Sequence, residues 1–178
     1  MGRPGCTAAA EPVIRALTPG ERGLAREVFG DRLALDRVRI FSAPWPVFLA
    51  FVPGRWFGRD WIVWPRAQMH GDFAAAPLNA QAVLIHELVH VWQAQTGTQL
   101  LWAKLKAGFS AAAYVYPVDD ACGWNGLNIE QQAMVVQHCF MAGRGARVPA
   151  DRAFYDRVSP FPTGRAPLPS GEKSARSA

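Results

Sequence analysis

Hydrophobic residues recur at helical spacing over residues 79–95, the stretch NAQAVLIHELVHVWQAQ. Leu84, Leu88 and Val91 follow the i, i+4, i+7 pattern of one helix face, and Gly97 supplies a stop signal. The pattern therefore predicts an α-helix over these residues, mostly buried because few positions between 83 and 92 are polar.

Two further helices are predicted from capping signals. Thr18, followed by a proline and by Glu21, has the pattern of a capped helix start, and Gly30 ends that helix. Asn128 with Gln131 three positions later predicts the start of a second capped helix, which runs to about residue 142. Weaker helical patterns cover residues 98–113 and 150–157.

Strand patterns are fewer than helix patterns. Residues 38–41 predict a short strand, residues 60–65 predict the best strand in the chain, and residues 42–58, rich in Pro and Trp, are predicted to be irregular. These elements predict an α+β fold that is rich in helix. A short antiparallel or mixed sheet is expected to pack on the helix over 79–95.

The chain of 178 residues is expected to contain one domain. Residues 1–16 have the composition of a flexible leader, and residues 17–158 contain every predicted element. Residues 159–178 are rich in Pro, Ser, Gly and Arg, which predicts a disordered tail.

Composition excludes several classes of protein. The net charge is +5, but the arginines are scattered and form no basic stripe with aromatic residues, so nucleic-acid binding is not expected. No apolar run approaches the ~20 residues of a membrane span, and the first residues lack the apolar segment of a secretory signal. Three widely spaced cysteines indicate a reducing compartment. A cytoplasmic location is expected, and non-classical secretion stays open.

The predicted helix over 79–95 carries the pattern H-E-x-x-H at His86, Glu87 and His90. Residues four apart lie on one helix face, so the two imidazoles can bind one Zn²⁺. Zinc lowers the pKa of a bound water, and Glu87 is placed to take its proton without being a ligand. The alternative is a surface helix with two solvated histidines, but the neighbouring residues are too apolar for a solvated face.

A catalytic zinc usually has a third protein ligand. A histidine at position 96 would complete one known pattern, but Thr96 stands there. The best candidate is Glu130, in the first turn of the helix that Asn128 begins. Two alternatives stay open: Glu130 is only a favourable charge at a helix N-terminus, or His138 is the ligand in its place. Candidate oxyanion donors are Tyr114, Tyr116 and His70.

The motif HELVH, with E-Q-Q-A from position 130, resembles the Glu-zincin metallopeptidases. HELVHVWQ, preceded by LTPGE and DRVRI, is more narrowly similar to a group of bacterial zincin-like proteins, some labelled vgr-related; the resemblance spans residues 17–142. It implies Glu130 as third ligand and a small sheet whose edge strand, here residues 60–65, pairs with an extended peptide. In related families an acidic residue after E-x-x-A orients the first histidine. Position 134 is Met, so the orienting carboxylate is either another residue, with Asp119 and Asp120 as candidates, or absent.

These observations favour a zinc-dependent hydrolase, a metallopeptidase that acts on a peptide or protein substrate. The alternative is a zincin-fold metal-binding protein without peptidase activity, serving as a secretion-associated or structural binding module. The sequence identifies no protein partner.

Overall fold

Five α-helices and a four-stranded mixed sheet make up the part of the chain that this computed structural model describes, residues 13–108 and 110–161. The predicted α+β class is confirmed. The strands are β1 (Ile14–Ala16), β2 (Val38–Ala43), β3 (Phe51–Trp56) and β4 (Arg59–Pro65). The helices are α1 (Pro19–Phe29), α2 (Leu78–Gln95), α3 (Leu100–Ala107), α4 (Ile129–Ala142) and α5 (Arg152–Val158).

The sheet has the order β1-β2-β4-β3, with β2 and β4 parallel and the other two pairs antiparallel. Side chains alternate along β4 because successive residues of a strand point to opposite faces. Ile62 and Trp64 are buried towards the helices, whereas Trp61 and Val63 on the other face are half-buried. One face of the sheet thus forms part of the core.

The sheet edge differs from the prediction. Residues 60–65 lie in β4, which is bonded on both sides, and the edge beside it is β3. β3 falls inside the stretch predicted to be irregular. Its Pro53 and Gly54 weaken the strand pattern, and the register shifts between Phe51 and Gly54. An edge strand tolerates such residues because one side of its backbone needs no partner within the sheet.

The capping predictions agree with the structure. The Thr18 side chain accepts a hydrogen bond from the backbone of Glu21, whose carboxylate accepts one from the Thr18 backbone, and Gly30 ends α1. Asn128 and Gln131 form the same reciprocal pair at the start of α4. The helix predicted over 98–113 is shorter, since α3 ends at a glycine with positive φ, Gly108.

The two chain ends enter the fold further than predicted. β1 lies inside the predicted leader and pairs with β2, so residues 14–16 belong to the sheet. Phe161 lies inside the predicted tail and is 1 % exposed, with ring contacts to Phe29 and Trp92. The rest of the predicted leader and tail, residues 1–12 and 162–178, falls outside the described ranges.

Helix α2 lies at the centre of the molecule, between the sheet and α4. Its buried side chains include Leu84, Ile85, Leu88 and Val89, each with no exposed surface. Such all-round burial explains why a helix with so many apolar residues is stable in this fold. Among the described residues, no helix combines the length and the apolarity that crossing a membrane requires.

Candidate metal centre

Helices α2 and α4 bring His86, His90 and Glu130 together at their contact. Oε2 of Glu130 lies 3.3 Å from Nε2 of His86 and 3.1 Å from Nε2 of His90. All three residues are buried, and one ligand atom from each lies within 4.8 Å of the others. These three side chains could hold a metal ion, as the sequence predicted.

Local structure explains why these atoms converge. The four-residue spacing stacks His86 over His90 on one face of α2, with ring centroids 4.9 Å apart. The Asn128 cap accepts hydrogen bonds from the backbone of Glu130 and Gln131 and so fixes the first turn of α4. Further along α4, buried apolar residues anchor the helix on the core: Ala133, Val136 and Phe140.

The other ring nitrogen of each histidine contacts a glutamine side chain. Nδ1 of His86 lies 3.0 Å from Oε1 of Gln137, and Nδ1 of His90 lies 2.8 Å from Oε1 of Gln93. Partners in this position orient the imidazole of a metal ligand. Neutral amides therefore contact Nδ1 of both histidines, whereas a carboxylate was the expected partner of His86.

Asp119 and Asp120, the predicted orienting residues, lie elsewhere. Asp119 accepts a hydrogen bond from the backbone of Cys122, and the backbone carbonyls of both aspartates accept from Arg157. They belong to the loop before α4 and line surface grooves away from the histidines. The residue that contacts Nδ1 of His86 is instead Gln137, one turn beyond Met134 on α4.

Glu87 is 5 % exposed and lies in the same cleft as the two histidines. Its Oε2 is buried without a hydrogen-bond partner. Burial raises the pKa of Glu87, while the nearby His86 and Lys104 act in the opposite direction. The carboxylate is therefore a stronger base than a solvated glutamate.

Burial also acts to raise the pKa of Glu130, but hydrogen bonds from His86 and His90 outweigh it. The nearby Lys104, with Nζ at 3.4 Å from Oε1, acts in the same direction as the histidines. The pKa of Glu130 is thus held well below its usual range, and the carboxylate is ionised at neutral pH. The two carboxylates of the cleft differ in their proton affinity.

The cleft has a volume of about 330 Å³. Both apolar and polar side chains surround His86, Glu87, His90 and Glu130. The remaining wall consists of Leu49, Ala50, Val83, Lys104, Tyr114, Met134 and Gln137. The cleft opens beside the segment that leads into β3, because Leu49 and Ala50 directly precede that strand.

Of the three candidate oxyanion donors, the structure brings one into the cleft. The ring of Tyr114 stacks on that of His86 with centroids 6.3 Å apart. Burial, and then the charges of Glu130 and Glu87, raise the pKa of Tyr114, so its hydroxyl keeps the proton that it could donate.

Tyr116 and His70 lie outside the cleft lining. The Tyr116 hydroxyl contacts Nδ1 of His138 at 2.6 Å and the hydroxyl of Tyr155 at 3.0 Å, in a second core cluster. His138 thus contacts Tyr116, whereas Glu130 is the residue that contacts both His86 and His90. His70 packs its ring edge against Phe73, near the start of α2.

No family model matches the chain. The chain is 29 % identical over 163 residues to the type VI secretion system spike protein VgrG2b of Pseudomonas aeruginosa. This similarity covers 84 % of the chain but only 15 % of the spike protein, so the chain spans a small part of that relative's length.

Among solved structures, the effector domain of Pseudomonas aeruginosa VgrG2b matches with a TM-score of 0.61 and 26 % identity, over 80 % of this chain and 79 % of that domain. The predicted link to vgr-related proteins is supported, and membership of the zincin superfamily stays a prediction. Over four-fifths of its length, this chain is similar in sequence and fold to a VgrG2b effector domain.

Proposed function

We propose that this chain is a zinc-dependent hydrolase, a peptidase, in which His86, His90 and Glu130 hold the metal and Glu87 is the general base. One observation carries the proposal. Oε2 of Glu130 lies 3.1 to 3.3 Å from Nε2 of His90 and of His86, and the cleft that these residues line also holds a buried oxygen of Glu87 without a hydrogen-bond partner.

The residues present fit a zinc ion. Two imidazoles and one carboxylate form a donor set that is typical of catalytic zinc in hydrolases. The two Nε2 atoms and Oε2 of Glu130 point at one another, and lone pairs in such an arrangement repel unless a cation or protons lie between them. The cleft leaves one side of this group open.

Zinc held there would polarise a substrate carbonyl and make water nucleophilic near neutral pH. Glu87 would accept the proton of the attacking water at Oε2, the oxygen without a partner in the structure. It would then donate that proton to the leaving amine. Its pKa, raised by burial, suits both steps better than that of a solvated glutamate.

The other polar residues of the cleft wall have the chemistry to assist. Tyr114 would donate a hydrogen bond to the developing oxyanion, since its hydroxyl stays protonated at neutral pH. A peptide substrate would lie along β3, the edge strand of the sheet that the described residues form, and use the backbone groups on its side away from β4. This assigns to β3 the role expected of residues 60–65.

The similarity to VgrG2b supports a further part of the proposal, which concerns the system that the chain belongs to. That relative is named as a spike protein of a type VI secretion system, and the similar solved domain is named as its effector domain. We therefore propose that this chain acts as an effector-type domain that such a system carries out of the producing cell. The cytoplasmic location stays a prediction for the chain before export.

A metal-binding module without peptidase activity is the second candidate. The neutral partners of His86 and His90 favour it, because known hydrolytic zinc sites commonly use carboxylates in these positions. In this case the metal centre would stabilise a domain whose function is binding, and Glu87 would have no chemical step to perform.

One experiment separates the two candidates. The metal content of purified protein is measured beside His86→Ala and Glu130→Ala, and cleavage of a peptide library is measured beside Glu87→Gln. A hydrolase should carry about one zinc, lose it in the first two variants, and lose turnover by ~10²–10⁴-fold in Glu87→Gln with zinc retained. Cleavage that is equal in wild type and Glu87→Gln would refute the mechanism. Bound zinc without any cleavage would favour the binding module.

A further inference from the structure

Gln93 lies one helical turn after His90 on α2 and is 1 % exposed. Its side chain makes three hydrogen-bond contacts. Oε1 lies 2.8 Å from Nδ1 of His90, and Nε2 donates to the backbone carbonyl of Ile129 at 3.2 Å and to Oε1 of Gln132 at 2.9 Å. A buried amide so fully bonded has a fixed orientation.

Which atom donates and which accepts in these hydrogen bonds follows from the partners of the Gln93 side chain on α4, Ile129 and Gln132. The carbonyl oxygen of Ile129 can only accept, so the amide group facing it must be the NH₂ of Gln93. Gln132 is oriented in the same way, because its own NH₂ donates to the carbonyl of Trp124 at 3.1 Å and leaves its Oε1 to accept. Oε1 of Gln93 therefore faces His90 and can only accept from it.

The orientation of Gln93 fixes the tautomer of His90. Because Oε1 of Gln93 accepts, Nδ1 of His90 must carry a proton, so the neutral form of His90 has its lone pair on Nε2, the nitrogen that faces Glu130. A neutral histidine binds a metal through the nitrogen without the proton. The amide thus holds the ring in the form that a metal ligand needs.

The same side chain joins the two helices of the centre. Ile129 directly precedes Glu130, so the bond from Gln93 to the Ile129 carbonyl holds the first turn of α4 against α2. One amide contacts the second ligand and the peptide unit next to the third. A substitution at Gln93 should therefore alter the positions of both His90 and Glu130.

We propose that Gln93 is a positioning residue of the metal centre, which sets the Nδ1–H tautomer of His90 and holds Glu130 in register with it. The part that concerns the metal rests on the proposed function. The part that concerns the tautomer holds for the metal-free protein as well.

Gln93→Met tests the proposal, because methionine has a similar length and no hydrogen-bonding amide. Gln95→Met is the matched control: Gln95 is on the same helix, and its amide bonds Ala34 and Asp60, away from the cleft. Affinity for Zn²⁺ alone is measured by competition with a chelator, and thermal unfolding of the metal-free proteins is measured in parallel. We expect Gln93→Met to bind zinc ~10–100-fold more weakly and Gln95→Met to keep the wild-type affinity while losing stability.

The second readout is ¹⁵N NMR of the histidine rings in metal-free protein, at alkaline pH where imidazole is neutral. His90 should be the Nδ1–H tautomer in wild type and should gain Nε2–H character in Gln93→Met. An Nε2–H tautomer in wild type, or equal losses of zinc affinity in both variants, would overturn the proposal. If wild type binds no zinc, the proposed function is wrong, but the tautomer of His90 in wild type still tests the role of Gln93. The same measurement on wild type serves if Gln93→Met does not fold.

Discussion

Lys104 and Glu130 form an ion pair at the wall of the cleft, with Nζ 3.4 Å from Oε1. The other carboxylate oxygen, Oε2, contacts both histidines. Glu130 therefore faces a lysine with one oxygen and the candidate metal position with the other. After the two histidines, the lysine also lowers the pKa of Glu130, and it places a positive charge close to the position of a cation.

The first prediction is that Lys104→Met binds Zn²⁺ more tightly than wild type. Removing a like charge beside the metal should gain on the order of 1 kcal/mol, or about fivefold in affinity, more than the loss of the 3.4 Å ion-pair contact with Oε1 costs. Lys106→Met is the control, since Lys106 lies on the same helix, is exposed and does not line the cleft. Chelator competition on the three proteins measures the effect. Weaker binding in Lys104→Met would show that orientation of Glu130 outweighs repulsion.

The second prediction is that Glu87→Gln is more stable than wild type when both are metal-free at neutral pH. Glu87 is buried, and burial disfavours its ionised form, so the carboxylate costs folding free energy that an uncharged amide of the same size does not. The variant removes the charge from this position. Thermal unfolding in the presence of a chelator measures the difference.

The pH dependence of this gain follows from the raised pKa of Glu87. Because the folded protein holds the proton more tightly than the unfolded chain, whose glutamate pKa is 4.5, wild-type stability is lost as pH rises from there through the folded-state pKa. The advantage of Glu87→Gln should therefore be largest above that window and vanish below pH 4.5. A gain that persists at low pH would mean that the charge of Glu87 is not its cause.

The third prediction concerns Gln137, whose Oε1 contacts His86. Gln137→Glu would put a charged acceptor at the same ring nitrogen and raise the basicity of His86 as a ligand, so zinc should bind several-fold more tightly. Gln137→Met removes the contact and should weaken binding by ~10-fold or more. Both affinities are measured with zinc alone. Similar affinities in these two variants would remove Gln137 from the orienting shell.

Local signals explain which elements the sequence could predict. The caps at Thr18 and Asn128 are read from neighbouring residues, and α2 is identified by a long apolar period, so these helices begin where predicted, within a residue. β3 was missed because Pro53 and Gly54 interrupt its pattern, and an edge position that tolerates them is a property of the whole sheet.

In the candidate metal centre, too, some residues have a local sequence signal and others depend on how the helices pack. His86, Glu87 and His90 are recognisable because one helix fixes their spacing, and Glu130 because a capping signal places it in a first turn. Gln93 and Gln137 gave no signal: glutamine is common on helices, and only the packing of α2 on α4 turns these amides towards the rings.

The fourth prediction compares the two faces of β4. Ile62 has no exposed surface and Val63 is half-buried on the other face. Ile62→Ala should lower the free energy of unfolding by about 2–5 kcal/mol because it leaves a cavity under α2. The same variant should also bind zinc more weakly. Val63→Ala is the control and should cost less than half as much. Denaturant unfolding of both variants measures the difference, and equal costs would contradict the assigned faces.

The fifth prediction concerns the C-terminal residues. Deleting 162–178 should leave the melting temperature nearly unchanged, because that segment is rich in Pro, Ser and Arg and has few apolar residues to bury. Deleting 159–178 also removes Phe161, which packs on Phe29, Trp92 and Trp124. That deletion should cost about 3–5 kcal/mol. Thermal unfolding compares the two truncations, and equal melting temperatures would place Phe161 outside the core.

The contact between His90 and Glu130 joins two positions that are 40 residues apart in the chain. A metal held between them would act as a reversible cross-link, and its binding free energy would become folding free energy. At a free zinc concentration a thousandfold above Kd, this adds about 4 kcal/mol to stability. The lifetime of the folded domain would then depend on the zinc supply of its surroundings, and zinc-poor surroundings would expose it to proteolysis.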